Sequence, residues 1–439
     1  MSTTAQEDAL TDGVPSPQTQ TPRVNPAHRG PILLATDGKG KSGATVIAAR
    51  LLARHLNVPL EVVSVLPLRL AYGDAIAGVP MYVPEVDDVR REAQTAAILE
   101  YVAKSDVDGV PPVHVRFGGI ADEVAAVAQE RNASLIVVGA APHQRGNRII
   151  GGELAARVLR ASTVPVLSVA PGFAVLPRRI VVAVDFSPAS VRAAQAALLL
   201  VAPGGTVTLL HVISPFLADA PLRDAQGRDP ADAVQSLFGR LRDELRAYVP
   251  DDVTIETLIR TGDDIDGILA GAAASDADLI AVGTHGPRFV ERFLVGSVAS
   301  SILHAAPQTV LAAPPPPAAE SLGLWLRMTG TATADAPSAW AGALDDFTRR
   351  NKGRRVAVEV DDPELGAQML GRGALMGVTY DPHDQRVEIM LGDAKQARRH
   401  LVHSIARVES VAMATEPRTG NEALELRHGG GHTLVMIGA

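Results

Sequence analysis

Gly283-Thr284-His285-Gly286, nine intervening residues and then Gly296-Ser297 are the stretch of this chain best suited to chemistry. An apolar run, Leu279-Ile280-Ala281-Val282, precedes it, and Val298 to His304 follows with helical spacing. Strand, glycine loop and helix start, in that order, are the parts of a phosphate-binding site. Glycine lets the backbone approach an anion closely. A helix N-terminus offers unpaired N–H groups and the positive end of a dipole. Ser297 adds a hydroxyl where the helix begins. No Ser/His/Asp trio and no carboxylate cluster in the chain specifies hydrolysis or a metal site. The chemistry expected is therefore binding, and no catalytic residue or metal ligand is assigned.

The elements that must hold this loop follow from composition and from an internal repeat. The chain has 439 residues, 46% of them hydrophobic and 21% charged, which predicts two to four globular domains. Aromatics are only 3%, so the apolar content is mostly Ala, Val, Leu and Ile, as in buried parallel strands under Ala-rich helices. A net charge of −8 argues against a nucleic-acid surface, which needs clustered Lys and Arg. The chain has no cysteine, which excludes disulfides, thiol catalysis and Cys-type zinc sites. Residues 1–29 are polar and Pro-rich and read as a disordered tail without the apolar core of a signal peptide. No uncharged apolar run is long enough to cross a bilayer, so the expected location is cytoplasmic.

Ser134-Leu135-Ile136-Val137-Val138-Gly139 matches Asp278-Leu279-Ile280-Ala281-Val282-Gly283 at an offset of 144 residues. At that offset Gly152 meets Gly296, Arg116 meets Arg260 and Gly118 meets Gly262; Asp37 pairs with Asp185 at 148 and Val65 with Val212 at 147. Each copy alternates strand and helix. The expected strands are 31–36, 60–66, 113–117, 135–139 and 164–170 in copy one, and 179–184, 206–213, 254–259, 279–283 and 309–313 in copy two. Such alternation predicts a parallel sheet with helices on both faces. Ligands bind such sheets beyond the carboxyl ends of the strands, where strand order reverses. Asp185 and Gly283 sit at such ends.

Asp185 closing its strand, His211-Val212 ending the next, and Gly-x-x-Gly-x9-Gly-Ser together resemble the universal stress protein family over about 30–315, as two tandem copies. The resemblance implies two five-stranded α/β domains of the adenine-nucleotide-binding type, at 30–172 and 177–314. It implies that Asp185 and Val212 line an adenosine pocket and that Gly283, Gly286, Gly296 and Ser297 hold the phosphates, with Thr284 and His285 in the same loop. The implied ligand is ATP, with or without Mg²⁺. The family also implies contact through the fifth strands, 164–170 and 309–313, giving a pseudo-dimer within one chain and leaving room for a homodimer. Members that bind no nucleotide are known, and most have no established catalysis.

Copy one departs from this pattern. It reads Gly139-Ala140-Ala141-Pro142, then nine residues, then Gly152-Glu153. Pro142 stands for the second glycine, fixing φ and removing an N–H. Glu153 stands for the hydroxyl residue; the helix dipole favours it, and it repels phosphate. Copy one is therefore expected not to bind ATP in the usual way, with Glu153 partly filling the anion site. Ala35-Thr36-Asp37-Gly38-Lys39-Gly40-Lys41-Ser42 loosely fits a P-loop, with Lys41 and Ser42 as phosphate and Mg²⁺ ligands. Copy two has Asp185-Phe186-Ser187-Pro188 there and no lysine, which favours a plain loop of the duplicated domain. Asp185 also reads as an Asx turn or N-cap, His211 as structural, His285 as a backbone or phosphate contact rather than a catalytic base, and Arg288 and Arg292 as phosphate contacts or a solvated loop and helix face.

Pro314-Pro315-Pro316-Pro317 marks a stiff linker, 314–320, before a C-terminal domain at 321–439 that holds both tryptophans, Trp325 and Trp340. Ser338 to Arg350 predicts a helix with Trp340, Leu344 and Phe347 on one face. Strand-like runs follow at 355–360, 375–380, 387–391, 408–414, 423–427 and 433–437, predicting a small α+β domain with a curled antiparallel sheet. Phe347-Thr348-Arg349-Arg350, Val378-Thr379-Tyr380 and Met390-Leu391-Gly392-Asp393 resemble a family of small uncharacterised bacterial domains. His400, His403 and His432 have no compelling metal spacing. The leading expectation is an ATP-binding stress-response regulator whose C-terminal domain meets a protein partner. The alternatives are a nucleotide-independent scaffold and, more weakly, a slow ATP hydrolase.

Overall fold

The computed structural model describes residues 30–39, 43–68, 71–72, 80–81, 84–104, 109–140, 151–213, 230–284, 296–316, 320–321, 324, 327–328, 332–334, 336–362, 366–393, 396–415, 422–429 and 431–437. The expectations placed on the tail, Lys41, Ser42, Pro142, His285, Gly286, Arg288, Arg292 and Trp325 lie outside these residues.

Copy one runs β1 (Ile32–Ala35), α1 (Ala44–Leu56), β2 (Leu60–Leu66), the two-residue strands β3 (Ala71–Tyr72) and β4 (Pro80–Met81), α2 (Pro84–Ala103), β5 (Val113–Phe117), α3 (Ile120–Glu130), β6 (Leu135–Gly139), α4 (Gly151–Ala161) and β7 (Val166–Val169). Copy two runs β8 (Arg179–Ala183), α5 (Pro188–Leu200), β9 (Thr206–Ile213), α6 (Pro230–Leu245), β10 (Thr254–Thr261), α7 (Asp264–Ala274), β11 (Leu279–Gly283), α8 (Ser297–Ala305) and β12 (Thr309–Ala313). Ten of their strands form one sheet in the order β10-β9-β8-β11-β12-β7-β6-β1-β2-β5, and β3 and β4 pair antiparallel as a separate two-stranded sheet. Within the large sheet, pairing is parallel inside each copy. Between copies β7 and β12 pair antiparallel, with Leu167 opposite Leu311. Each copy's last strand thereby covers the other's edge.

The Val/Ile/Leu runs become strands because both faces of the sheet are covered. Ile32 and Leu34 face a core shared with α1, α2, α5 and α6, and Leu33 faces a second core under α3, α4, α7 and α8. Both cores cross the junction between copies. Local signals set the helix starts. Ser187 Oγ accepts from the Ser190 amide at 3.3 Å, with Pro188 as the first helical residue of α5. Asp263 Oδ1 accepts from the Ile265 amide at 2.9 Å and caps α7.

The proline run does not act as a free spacer. An Arg192 guanidinium nitrogen on α5 donates to the carbonyls of Thr163, Pro314 and Pro315 at 3.1, 3.3 and 3.1 Å. Burial lowers the pKa of that guanidinium from its ordinary value. Beyond the prolines, Leu324 and Met328 are buried in the core with α6, and Arg327 pairs with Glu244 at 2.6 Å. Buried apolar side chains, invisible to a reading of proline stiffness, tie this stretch to copy two.

The C-terminal part is a separate antiparallel sheet with one long helix. It comprises β13 (Ala332–Ala334), α9 (Pro337–Asn351), β14 (Arg355–Asp362), β15 (Gly366–Asp381), β16 (Arg386–Asp393), β17 (Gln396–Ala406), β18 (Val408–Thr415), β19 (Glu422–His428) and β20 (Gly431–Ile437), in the eight-stranded order β13-β18-β19-β20-β14-β15-β16-β17. Trp340, Leu344 and Phe347 of α9 enter its core, and Trp340 meets Tyr380 edge-on at 5.3 Å. The expected six strands omit β13 and β17. The β17 segment, Gln396-Ala397-Arg398-Arg399-His400, is too polar to read as a strand; its pairing with β16 makes it one, with His403 opposite Ile389 and Ile405 opposite Val387. No helix among the described residues is long and apolar enough to cross a membrane.

Candidate functional site

The sheet order β9-β8-β11 places the first strand of copy two between its neighbours from opposite sides. Chains leaving β8 and β11 diverge there and open a crevice at their carboxyl ends. Asp185 stands just beyond β8. Its Oδ1 accepts from the Ser187 amide at 3.0 Å and the Ser187 hydroxyl at 2.6 Å, which makes the Asx turn and orients the carboxylate. Phe186 in this turn has φ +63°, a left-handed conformation that a bulky residue rarely adopts. Packing holds it there. Its buried ring meets His211 at 5.0 Å and Phe238 edge-on at 5.3 Å. His211 Nδ1 lies 2.6 Å from the Val184 carbonyl, a structural tie between β9 and β8. Copy one solves the same turn with Gly38, φ +73°, and a bond from the Lys39 amide to Asp37 Oδ1 at 2.9 Å.

The glycine loop proves partly different from expectation. A Cβ on Gly283 would stand 2.6 Å from the Ser190 nitrogen and 2.7 Å from the Ala189 carbonyl carbon, so this glycine lets α5 pack against β11. The buried Thr284 donates its amide to Ala313 O at 2.9 Å, and Gly296 donates its amide to Thr284 O at 2.5 Å. These two amides satisfy the chain's own carbonyls and do not face a ligand. The remaining donors lie one step on. Ser300 makes the first intrahelical bond of α8, to Gly296 O, so the Ser297, Val298 and Ala299 amides have no helical acceptor. The cap residue is Gly296, which has no side chain to occupy them.

Asp185, Val212, Gly283, Thr284, Gly296 and Ser297 line one cleft of about 240 Å³. Sequence reasoning assigned no site role to the other lining residues, among them Ser190, Leu210, Asp264 and Ile268. Leu210 is hidden in an ordinary strand pattern. Asp264 and Ile268 carry the one available signal, a four-residue spacing that puts both on one face of α7. The assembled cleft has an apolar wall, two carboxylates and a bare helix start, which suits it to hold a ligand with both an apolar and an anionic part. No group of three or more His, Cys, Asp or Glu among the described residues is arranged for a metal.

Copy one differs at the corresponding place. A Cβ on Gly139 would lie 3.0 Å from Thr45 Oγ1. Its helix α4 starts at Gly151, so Glu153 is the third helical residue, and it is exposed.

The Universal stress protein family matches residues 28–170 and 177–314, and a family of unknown function (DUF5335) matches 336–437. No curated protein matches the chain. Among solved structures, a universal stress protein from Archaeoglobus fulgidus DSM 4304 is similar at 20% identity over 66% of this chain and 97% of its own, with a TM-score of 0.46. Universal stress protein UspA from Lactobacillus plantarum is similar at 23% identity over 31% of this chain and 96% of its own, with a TM-score of 0.24. A universal stress protein in complex with cAMP is similar at 24% identity over 31% of this chain and 97% of its own, with a TM-score of 0.24. With both α/β copies matched, the chain belongs to the Universal stress protein family and carries an additional C-terminal domain of the DUF5335 family.

Proposed function

We propose that copy two binds an adenine nucleotide, ATP in the first instance, and that the bound nucleotide regulates the protein rather than being turned over. The observation that supports this is the convergence of Asp185, Val212, Gly283, Thr284, Gly296 and Ser297, drawn from separate segments, on one cleft. Val212, Leu210 and Ile268 offer a flat base an apolar wall. The α8 amides offer phosphates neutral donors and a favourable dipole. Mg²⁺, in this reading, arrives with the triphosphate. The C-terminal domain, following the anchored proline segment, is the proposed partner-binding module.

Calorimetric titration of the full chain with ATP tests the proposal. One site per chain is expected; no binding, or two equal sites, overturns the proposed division of labour between copies.

A second reading draws on the glycine contacts. Gly283 and Gly296 both have a packing reason to be glycine, as a nucleotide-independent scaffold would require. Mass spectrometry of small molecules released from freshly purified protein separates the two. Released adenine nucleotide supports binding, and its absence together with a flat titration supports the scaffold. Phosphate release compared between the natural chain and Ser297→Ala tests slow hydrolysis.

A further inference from the structure

Asp264 is the first residue of α7, yet it does not cap that helix. Asp263 does, with Oδ1 accepting from the amides of Ile265 and Asp266 at 2.9 and 3.4 Å. Asp264 is half-buried, lines the cleft, and makes no hydrogen bond or ion pair among the described residues. Helix capping therefore does not account for it.

Its surroundings narrow what it can do. Ile268, one turn further along the same helical face, is buried and lines the same cleft. Gly267 beside it lies so close to β9 that a Cβ would stand 2.9 Å from both Val212 methyl groups. This contact presses α7 onto Val212, and Ile268, Leu210 and Val212 form one apolar wall. Asp264 lines the same cleft one helical turn before Ile268. A flat heteroaromatic ring stacked on the wall turns an edge towards it.

Resting on the reading of copy two as a nucleotide site, we infer that Asp264 determines which base is accepted. An ionised carboxylate accepts hydrogen bonds and donates none. It pairs with the exocyclic amine of an adenine-type ring. A hypoxanthine or guanine-type ring puts a carbonyl oxygen at the same position, which faces the carboxylate with two acceptors and no proton between them. Discrimination of this kind arises because a mismatched polar pair gives up water and gains no partner.

ATP and inosine triphosphate differ only along this edge of the base, an amine beside a bare ring nitrogen against a carbonyl beside a protonated one, so the pair tests whether the carboxylate faces the exocyclic group. The natural full-length chain is expected to bind ATP at least about tenfold more tightly than inosine triphosphate, the scale of one mismatched hydrogen-bonding group. Asp264→Asn should bring the two affinities close together, because an amide can turn either its carbonyl or its NH₂ to the base. Asp264→Ala should also erase the preference, by weakening ATP and relieving the acceptor clash with inosine triphosphate. Circular dichroism and thermal unfolding establish that both variants fold. If both nucleotides bind the natural chain equally, or the preference survives in both variants, the assignment of Asp264 falls while the nucleotide site stands. If neither nucleotide binds the natural chain, the nucleotide reading falls and the assignment falls with it.

Discussion

The Gly296 amide donates to the Thr284 carbonyl at 2.5 Å, which ties the end of β11 to the start of α8. The same contact leaves no room at Gly296, where a Cβ would lie 2.8 Å from that carbonyl oxygen. Gly296→Val is therefore expected to lower stability by about 1–3 kcal/mol, the usual cost of forced overpacking. Thermal unfolding without nucleotide reads it. An unchanged unfolding temperature would show that Gly296 is not held as described. Enlarging Gly283 should be worse, since its obstacles are backbone atoms of α5. Neither glycine variant is a clean probe of binding.

Ser297→Glu is the cleaner probe. It gives copy two the residue that copy one carries at the corresponding position, Glu153. Ser297 is exposed, and a carboxylate in the first turn is stabilised by the helix dipole by about 0.3–1 kcal/mol. The fold should hold or gain slightly, while like-charge repulsion removes nucleotide affinity. Loss of ATP binding in calorimetry with an unfolding temperature at or above that of the natural chain is the expected result. Full ATP affinity in this variant would mean that the phosphates do not approach α8.

Copy one carries an ionic cluster of its own. Glu61 on β2 lies 2.7 Å from His114 Nε2 on β5 and accepts two bonds from the Arg131 guanidinium, each 2.9 Å. Copy two has Thr208 in the place of Glu61 at the strand offset of 147. Bonds from Arg131 hold the Glu61 carboxyl below its ordinary range, burial opposes this, and His114 adds to the lowering. A carboxyl whose pKa is depressed by folding stabilises above its unfolded value and loses that contribution as pH falls through the lower folded value. Glu61→Gln should therefore unfold at a lower temperature than the natural chain at neutral pH. The gap should narrow as pH falls below 4.5, the unfolded value. Unfolding temperatures of both proteins along a pH series provide the check, and a gap independent of pH would contradict it.

His403 provides the opposite case, a base that folding keeps neutral. Its Nε2 is buried without a hydrogen-bond partner, and burial first, then nearby His428, lowers its pKa. The unfolded chain takes up the proton more readily, so stability declines as pH falls below 6.5 and levels off beneath the lower folded value. The C-terminal domain should accordingly be acid-sensitive, and His403→Leu should blunt that sensitivity. Trp340, in the core of that domain, makes tryptophan fluorescence a usable readout. Equal acid sensitivity in the two proteins would remove His403 as its source.

The sequence by itself determined the duplication, the alternation of strand and helix, and the glycine-loop spacing, because these are written in local periodicity and in residues that only special backbone geometry demands. Asp185 and Gly283 could be assigned to strand ends for the same reason. Tertiary structure alone decided what those residues do there. Gly283 is glycine to admit α5, the amides of Thr284 and Gly296 serve their own chain, and Phe186 keeps a left-handed turn because His211 and Phe238 pack around it. Asp264 reads locally as one more acid at a helix start; it belongs to the cleft because Gly267 lets α7 press on Val212. Polar β17 and the anchored proline segment were illegible for the same cause. Pairing with a neighbour and burial against a distant helix depend on side chains far away in the chain, and no local pattern carries that information.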